Sequence, residues 1–259
     1  MQGTFPFTYQ GYAGMILSLQ QNGYEISDYH NWQYVERPAI LRHDIDNSPE
    51  KALQLAKLEK KLSVRSTYFV LLTSDFYNVF SKHTEDALRE IAKQGHEIGL
   101  HFDEKRYPEV FGKPDECVDY ILKEAQLLQD ALDLPITTVS MHRPSKMMLD
   151  ANLEIPAMVN SYGTTFFHTF KYLSDSRHCW REPVADIISS KQYPRLHILT
   201  HAISWDERPM DIDQWAEELM CRRMLRQWDI LNENFSDLES VLPYHEVCTW
   251  IEKRNEAKE

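Results

Sequence analysis

Glycine is scarce, 8 in 259 residues, and neither GxGxxG nor GxxxxGK[ST] occurs. The chain therefore has little material for a loop that cradles phosphate, which weakens nucleotide-binding readings. Cysteine is scarce too: Cys117, Cys179, Cys221 and Cys248 are scattered without a CxxC or any zinc-finger spacing. That excludes a disulfide framework and leaves four ordinary reduced thiols. No stretch reaches the roughly 18 apolar residues of a membrane span, and the opening MQGTFPFTYQGYAGM has neither a charged n-region nor an apolar h-region. The expectation is a soluble, unexported, cytoplasmic protein. Positive charge is in deficit, 28 Lys and Arg against 40 Asp and Glu for a formal net charge of -12. A binder of nucleic acid or of anionic lipid needs the opposite balance, so neither partner is expected, although a local basic patch is compatible with the total. Internal repeats, low-complexity tracts and Gly/Ser/Pro linkers are also missing, and a single domain over 1–259 is the expectation.

What is present is globular material, with 42% hydrophobic and 26% charged residues. From about residue 38 strand-like runs alternate with helical stretches, the rhythm of βα units around a parallel sheet. Ala39-Ile40-Leu41 leads into Arg42-His43-Asp44-Ile45-Asp46, after which Asn47 or Ser48 can cap a helix with Pro49 in its first turn. Further strands are expected at Ser66–Leu72, Glu97–Phe102, Ile136–His142 and Leu196–His201. Helices are expected near 84–94, 115–132, 212–232 and 242–253. Residues 1–37 read as an amphipathic helix (Tyr12, Met15, Ile16, Leu19) and an aromatic loop covering one end of a barrel.

In parallel α/β folds the reactive groups gather at the carboxyl ends of strands. Four expected strand ends carry ionisable residues after an apolar run: Asp44 with Asp46, His101 with Asp103, His142 with Arg143, and His201. On an extended strand i and i+2 face the same way, so Asp44 and Asp46 project together, as do His101 and Asp103. Two neighbouring carboxylates repel unless a cation intervenes, and imidazole with carboxylate suits Zn²⁺ or Fe, Mn, Co and Ni. Such a metal acidifies water and polarises an acyl carbonyl, as amide or ester hydrolysis requires. A single Asp or His at a strand end is more often a turn former or a cap; four in succession favour a site.

At these residues the chain resembles the polysaccharide deacetylase superfamily (carbohydrate esterase family 4-like), whose members adopt a distorted (β/α)7 barrel. Leu41-Arg42-His43-Asp44-Ile45-Asp46 is similar to its first motif, which implies Asp44 as general base and Asp46 as metal ligand. Gly95-His96-Glu97-Ile98-Gly99-Leu100-His101 resembles the lead into the second motif and implies His101 as a ligand. His142-Arg143-Pro144 resembles the third, whose arginine orients the base, implying that role for Arg143. Tyr172-Leu173-Ser174-Asp175-Ser176 resembles the fourth, whose acid, here Asp175, partners that arginine. Leu199-Thr200-His201 resembles the last and implies His201 as general acid.

One position departs from the pattern: the second motif has another histidine four residues after the first, and here that residue is Lys105. A charged lysine cannot be a ligand, so the third is His142, Asp103 or water. His142 comes first because it ends the next strand, against which stands its alternation with Arg143. His43 and His96 have the opposite parity and read as core histidines, His197 as structural, and Trp205 as core or as a wall for a sugar. The resemblance implies a metal-dependent hydrolase removing an acyl group from an amino sugar, with a small-molecule or saccharide substrate. The alternative, motivated by Lys105, is a non-catalytic carbohydrate-binding or assembly protein on the same barrel.

Overall fold

The computed structural model describes residues 3–256, with side chains to residue 250, so Met1 and Gln2 of the opening stretch lie outside the described residues. The chain, expected as a single domain, forms two compact units, one ending at Arg208 and the other beginning at Pro209.

The first unit contains, in order, α1 (Tyr9–Gln21), β1 (Glu25–Ser27), β2 (Pro38–Ile45), α2 (Pro49–Lys61), β3 (Thr67–Val70), α3 (Lys82–Lys93), β4 (Glu97–Phe102), α4 (Pro114–Leu132), β5 (Thr138–Met141), α5 (Lys146–Asp150), β6 (Val159–Asn160), α6 (Thr164–His168), β7 (Lys171–Ser174), α7 (Val184–Ser190) and β8 (Leu196–Thr200). Local signals set the boundaries. Ser48 caps α2 by accepting the Lys51 N–H, and Pro49 supplies the preset first turn. Ser81, three residues earlier than expected, caps α3 by accepting from Thr84. Helix α4 stops where Asp133 turns left-handed at φ 51°.

Among the described residues the strands form one parallel sheet in the order β6-β5-β4-β3-β2-β8-β7, with β1 paired to the start of β2. No pairing joins β6 to β7 among these residues, so the seven-strand path curls into a (β/α)7 barrel open at that seam. Strands β2, β3, β4, β5 and β8 are buried along their whole length, as parallel strands are when helices cover one face and a barrel interior fills the other.

Side-chain alternation divides the core in two. The larger cluster packs the outer sheet faces against the helices, with Tyr12, Met15, Ile16 and Leu19 of α1 among its members. Inside the barrel a smaller cluster of Tyr29, Ile40, Phe69, Phe166 and Phe170 fills the interior, with Trp32 against it. Gly99 is required there: a Cβ on it would come within 2.7 Å of the Phe69 ring and 3.0 Å of the Thr138 carbonyl. The expected cover formed by residues 1–37 therefore splits. The aromatic loop joins the barrel interior, whereas α1 lies beside α2 and α7 in the outer layer.

The second unit consists of α8 (Ile212–Asn234), α9 (Leu238–Val241) and α10 (Tyr244–Glu256). Asp211 and Gln214 form a reciprocal capping box at the start of α8, and Trp228 packs edge-on against Tyr244. No helix among the described residues is long and apolar enough to cross a membrane.

Candidate metal centre

The inward parity of β2 brings Arg42, Asp44 and then Asp46 to the carboxyl end of the barrel. The same parity on β4 delivers His101, and on β5 it runs through Ser140 to His142, whose N–H continues the ladder to the Phe102 carbonyl at 2.7 Å. Three ligand-type atoms converge there. His101 Nε2 and His142 Nδ1 each lie 3.3 Å from Asp46 Oδ1, and 3.1 Å from one another. A tetrahedral cation with bonds of roughly 2.1 Å would separate its ligands by roughly 3.4 Å, so the triangle is close to the right size.

A second observation fits a cation. Asp46 Oδ1 is buried and has no hydrogen bond, and a carboxylate oxygen in that condition is costly unless something positive satisfies it. Burial opposes ionisation of Asp46, yet His101 and His142 beside it hold the carboxyl well below the usual range. The residues present therefore suit a divalent metal, and they are the only group of three or more such side chains so placed among the described residues. His142, the first of the three options the sequence offers, stands at the third corner of the triangle. Asp103 is engaged elsewhere: its Oδ1 accepts from the Lys105 N–H at 3.0 Å and its Oδ2 from Arg143 Nη2 at 3.1 Å.

Asp44 and His201 border the triangle. Asp44 Oδ2 is 3.4 Å from His101 Nε2, and His201 Nε2 is 3.9 Å from Asp46 Oδ2. Asp44 is gripped by Arg42, which donates from Nε to Oδ1 at 2.8 Å and from Nη2 to Oδ2 at 2.7 Å. The guanidinium is itself fully buried and lies against the Tyr162 and Phe69 rings. Burial alone would raise the pKa of Asp44; the Arg42 charge, with His101 and His201, outweighs it and holds the carboxyl below its ordinary range. His201 Nδ1 donates to Asp175 Oδ1 at 2.6 Å. Burial favours the neutral ring, but Asp175 overrides it and the pKa is pushed up to about 9, so His201 is cationic at neutral pH with Nδ1–H directed at Asp175. Asp175 is buried and also accepts the His201 N–H at 3.0 Å and the Trp205 indole N–H at 3.1 Å.

One expectation needs correction. Arg143 does not pair with Asp175 or lie beside Asp44; it is 64% exposed, holds a left-handed φ of 46°, and binds Asp103. The reason is strand alternation: once His142 faces inward, its neighbour faces out. The arginine that grips Asp44 is instead Arg42. The available signal was parity, since Arg42 and Asp44 are i and i+2 on one strand face and form a fork-to-carboxylate pair. Trp205, fully buried on Asp175, is core and forms no sugar wall. The readings of His43, His96 and His197 as core agree with their contacts. His43 meets Thr200 and Glu59, His96 meets the Ala56 carbonyl, and His197, driven by burial down to about 3, meets Tyr29 at 2.7 Å.

No protein-family model matches the sequence, and no curated protein does. Among solved structures the chain is similar to a polysaccharide deacetylase from Bacillus cereus, with TM-score 0.46 and 15% identity over 70% of this chain and 85% of that one. It is also similar to the catalytic domain of a peptidoglycan N-acetylglucosamine deacetylase from Eubacterium rectale, with TM-score 0.45 and 13% identity over 73% and 85%. A third is a family 4 pseudoenzyme from Bacillus anthracis, with TM-score 0.44 and 14% identity over 71% of this chain and 61% of that one. The chemistry of the site rests on this chain's own residues.

Proposed function

We propose that this chain is a metal-dependent hydrolase that removes an acyl group from the nitrogen of an amino sugar or a related conjugate. The observation that carries the reading is the Asp46, His101 and His142 triangle, bordered by an ionised buried carboxylate and a cationic imidazole. Asp46 Oδ1, His101 Nε2 and His142 Nδ1 would hold the cation, with Zn²⁺ the first choice and Fe, Mn, Co or Ni compatible with the same donors. A divalent metal in such a site acidifies water and polarises an acyl oxygen. Asp44, kept ionised and aimed by Arg42, accepts the proton of the attacking water. His201, kept protonated by Asp175, donates from Nε2 to the departing nitrogen, so the two proton transfers fall to different residues.

The resemblance of the motifs favours an N-acetylated sugar on the way to a surface polysaccharide as substrate. A cytoplasmic site of action belongs to the same proposal and is consistent with four cysteines that are all free thiols. The decisive experiment is metal analysis of protein purified without chelator, followed by assay of acyl release from N-acylated sugars. Stoichiometric divalent metal and release that chelator abolishes are expected; absence of both would overturn the reading. Lys105, standing where the resembling family has a histidine, favours a second reading as a non-catalytic carbohydrate-binding protein. That reading predicts sugar binding without acyl release and no effect of Asp44→Asn beyond stability.

A further inference from the structure

Beside the triangle opens a cleft of about 680 Å³, bounded on one side by Asp46 and His142 and walled by the loop after β3 and the turns after β4 and β5. Its size suits a monosaccharide derivative. Three cations, Lys105, Arg106 and Arg143, line it in a chain whose acidic residues outnumber its basic ones, 40 to 28.

Their pairing is unequal. Arg143 is neutralised by Asp103, and Asp46 belongs to the candidate metal centre. Among the described residues neither Lys105 nor Arg106 forms a salt bridge; Arg106 feels the charges of Glu109 and Glu124 at longer range and rests over the Tyr107 ring, and the remaining acid of the cleft, Asp75, is on the loop after β3. The wall carrying the cations is built, not loose. Lys105 and Arg106 belong to a 3-10 turn (Glu104–Arg106) capped by Asp103. Glu104, only 2% exposed, accepts from the Ser145 N–H and hydroxyl and from the Gly112 N–H, which ties that turn to the one bearing Arg143. Phe76, 47% exposed, adds an apolar face of the kind a sugar ring stacks on.

We propose that this cleft selects substrates carrying an oxyanion, a phosphate or a carboxylate, on the N-acyl sugar, with Lys105 and Arg106 as the residues that recognise it. The lysine that replaces a histidine of the resembling family thus acts as a specificity residue. The assignment of a sugar rests on the proposed function; the assignment of an anion rests on two cleft-lining cations, Lys105 and Arg106, that no salt bridge neutralises among the described residues.

The test is calorimetric titration of the metal-free protein with N-acetylglucosamine, N-acetylglucosamine 1-phosphate and N-acetylmuramic acid. At least one charged sugar is expected to bind roughly tenfold more tightly than the neutral one, and the advantage should shrink as salt rises. The two charged ligands separate phosphate from carboxylate as the source of the anion. In Lys105→Glu and in Lys105→Glu combined with Arg106→Gln the advantage should disappear; these side chains are exposed, so the fold is not at stake. Equal affinity for all three sugars, an advantage that survives Lys105→Glu, or no detectable binding of either charged sugar would overturn the proposal. Acyl release by metal-loaded protein is read separately. Charge-selective binding without release removes the hydrolase reading and leaves this one standing, and release without charge preference does the reverse.

Discussion

Strand β2 carries a buried charged system on each face, and the two are satisfied in different ways. On the inner face Arg42 holds Asp44, and Asp46 follows with an oxygen that no hydrogen bond reaches. On the outer face His43 meets Glu59, a fully buried carboxylate on α2 that also accepts from Tyr12 at 2.6 Å, Ser66 at 2.6 Å and Tyr68 at 2.7 Å. Both oxygens of Glu59 are occupied by protein donors, so the outer cluster is complete as it stands. The inner one leaves Asp46 Oδ1 without a hydrogen bond, a place that a cation would fill. Burial and charge are common to both faces; the unsatisfied atom is what separates a site from a structural network.

The sharpest way to break this contrast is to remove a vertex of the triangle. His101→Ala and His142→Ala should each weaken metal binding by more than the roughly 10- to 100-fold that outer partners of a ligand are worth, with turnover falling in step. Metal retained at wild-type level in either variant would show that the ligand lies elsewhere. Next in size are the groups that border the triangle. Asp44→Asn and His201→Ala should lower turnover by roughly 10²- to 10⁴-fold while metal content stays near wild type, since in the proposed mechanism each moves a proton and neither is a ligand. Loss of metal in Asp44→Asn would reassign Asp44 as a ligand.

A smaller effect is expected one residue further out. Asp175 keeps His201 protonated up to about pH 9, so in the wild type the acid form persists through neutrality and is lost as pH rises through that value. In Asp175→Asn the negative charge is gone and burial remains, so the alkaline limb of the pH-rate profile should move down by a unit or more. With the pKa back near the ordinary value of about 6.5, activity at pH 7.5 would be roughly tenfold lower. A bound cation lowers the limb in both proteins, so the comparison is made on one metal. An alkaline limb that does not move would free His201 from the acid role.

These differences bear on how much the sequence could say. The alternation of strands and helices, the carboxyl-end position of Asp44, Asp46, His101 and His201, and the core character of His43 and His96 all followed from periodicity of two and the parallel βα rhythm. The same rule places Arg42 on the face of Asp44, two residues along one strand. The inward turn of His142 and the outward turn of Arg143 follow from the parity of β5, where Ser140 pairs with His101, a register that the sequence alone does not show. Nor could spacing show that Asp175 would meet His201 and not an arginine, because that contact joins two strands that are neighbours only in the folded sheet. The open seam between β6 and β7 is likewise a property of pairing among very short strands.

The last and smallest effect on activity is expected on the outer face, and it sharpens the comparison from the other side. Glu59→Gln keeps one acceptor oxygen but puts an NH₂ where the second carboxylate oxygen accepted hydroxyl protons, so two of the donors crowd a donor. A loss of roughly 1 to 3 kcal/mol in stability is expected, the usual cost of leaving buried polar groups unpaired. The acid response should change as well. Burial disfavours the charge on Glu59, but His43, His96 and the Ser66 hydroxyl hold its pKa down to about 2, against 4.5 ordinarily. Its contribution is therefore present above the ordinary value and is lost as pH falls from there through about 2, because the unfolded chain takes up the proton first. The glutamine variant has no such proton to bind, so its stability should fall with acidification more gently, by up to one proton's slope of about 1.4 kcal/mol per pH unit. Denaturant melts from pH 6 down to pH 3 measure both quantities. Metal content and turnover at neutral pH should stay within a few-fold of wild type, since Glu59 faces away from the triangle across the strand. A fall in turnover as large as that of Asp44→Asn, with metal still bound, would mean that the outer network sets the position of Asp44 and that the two faces of β2 act as one system.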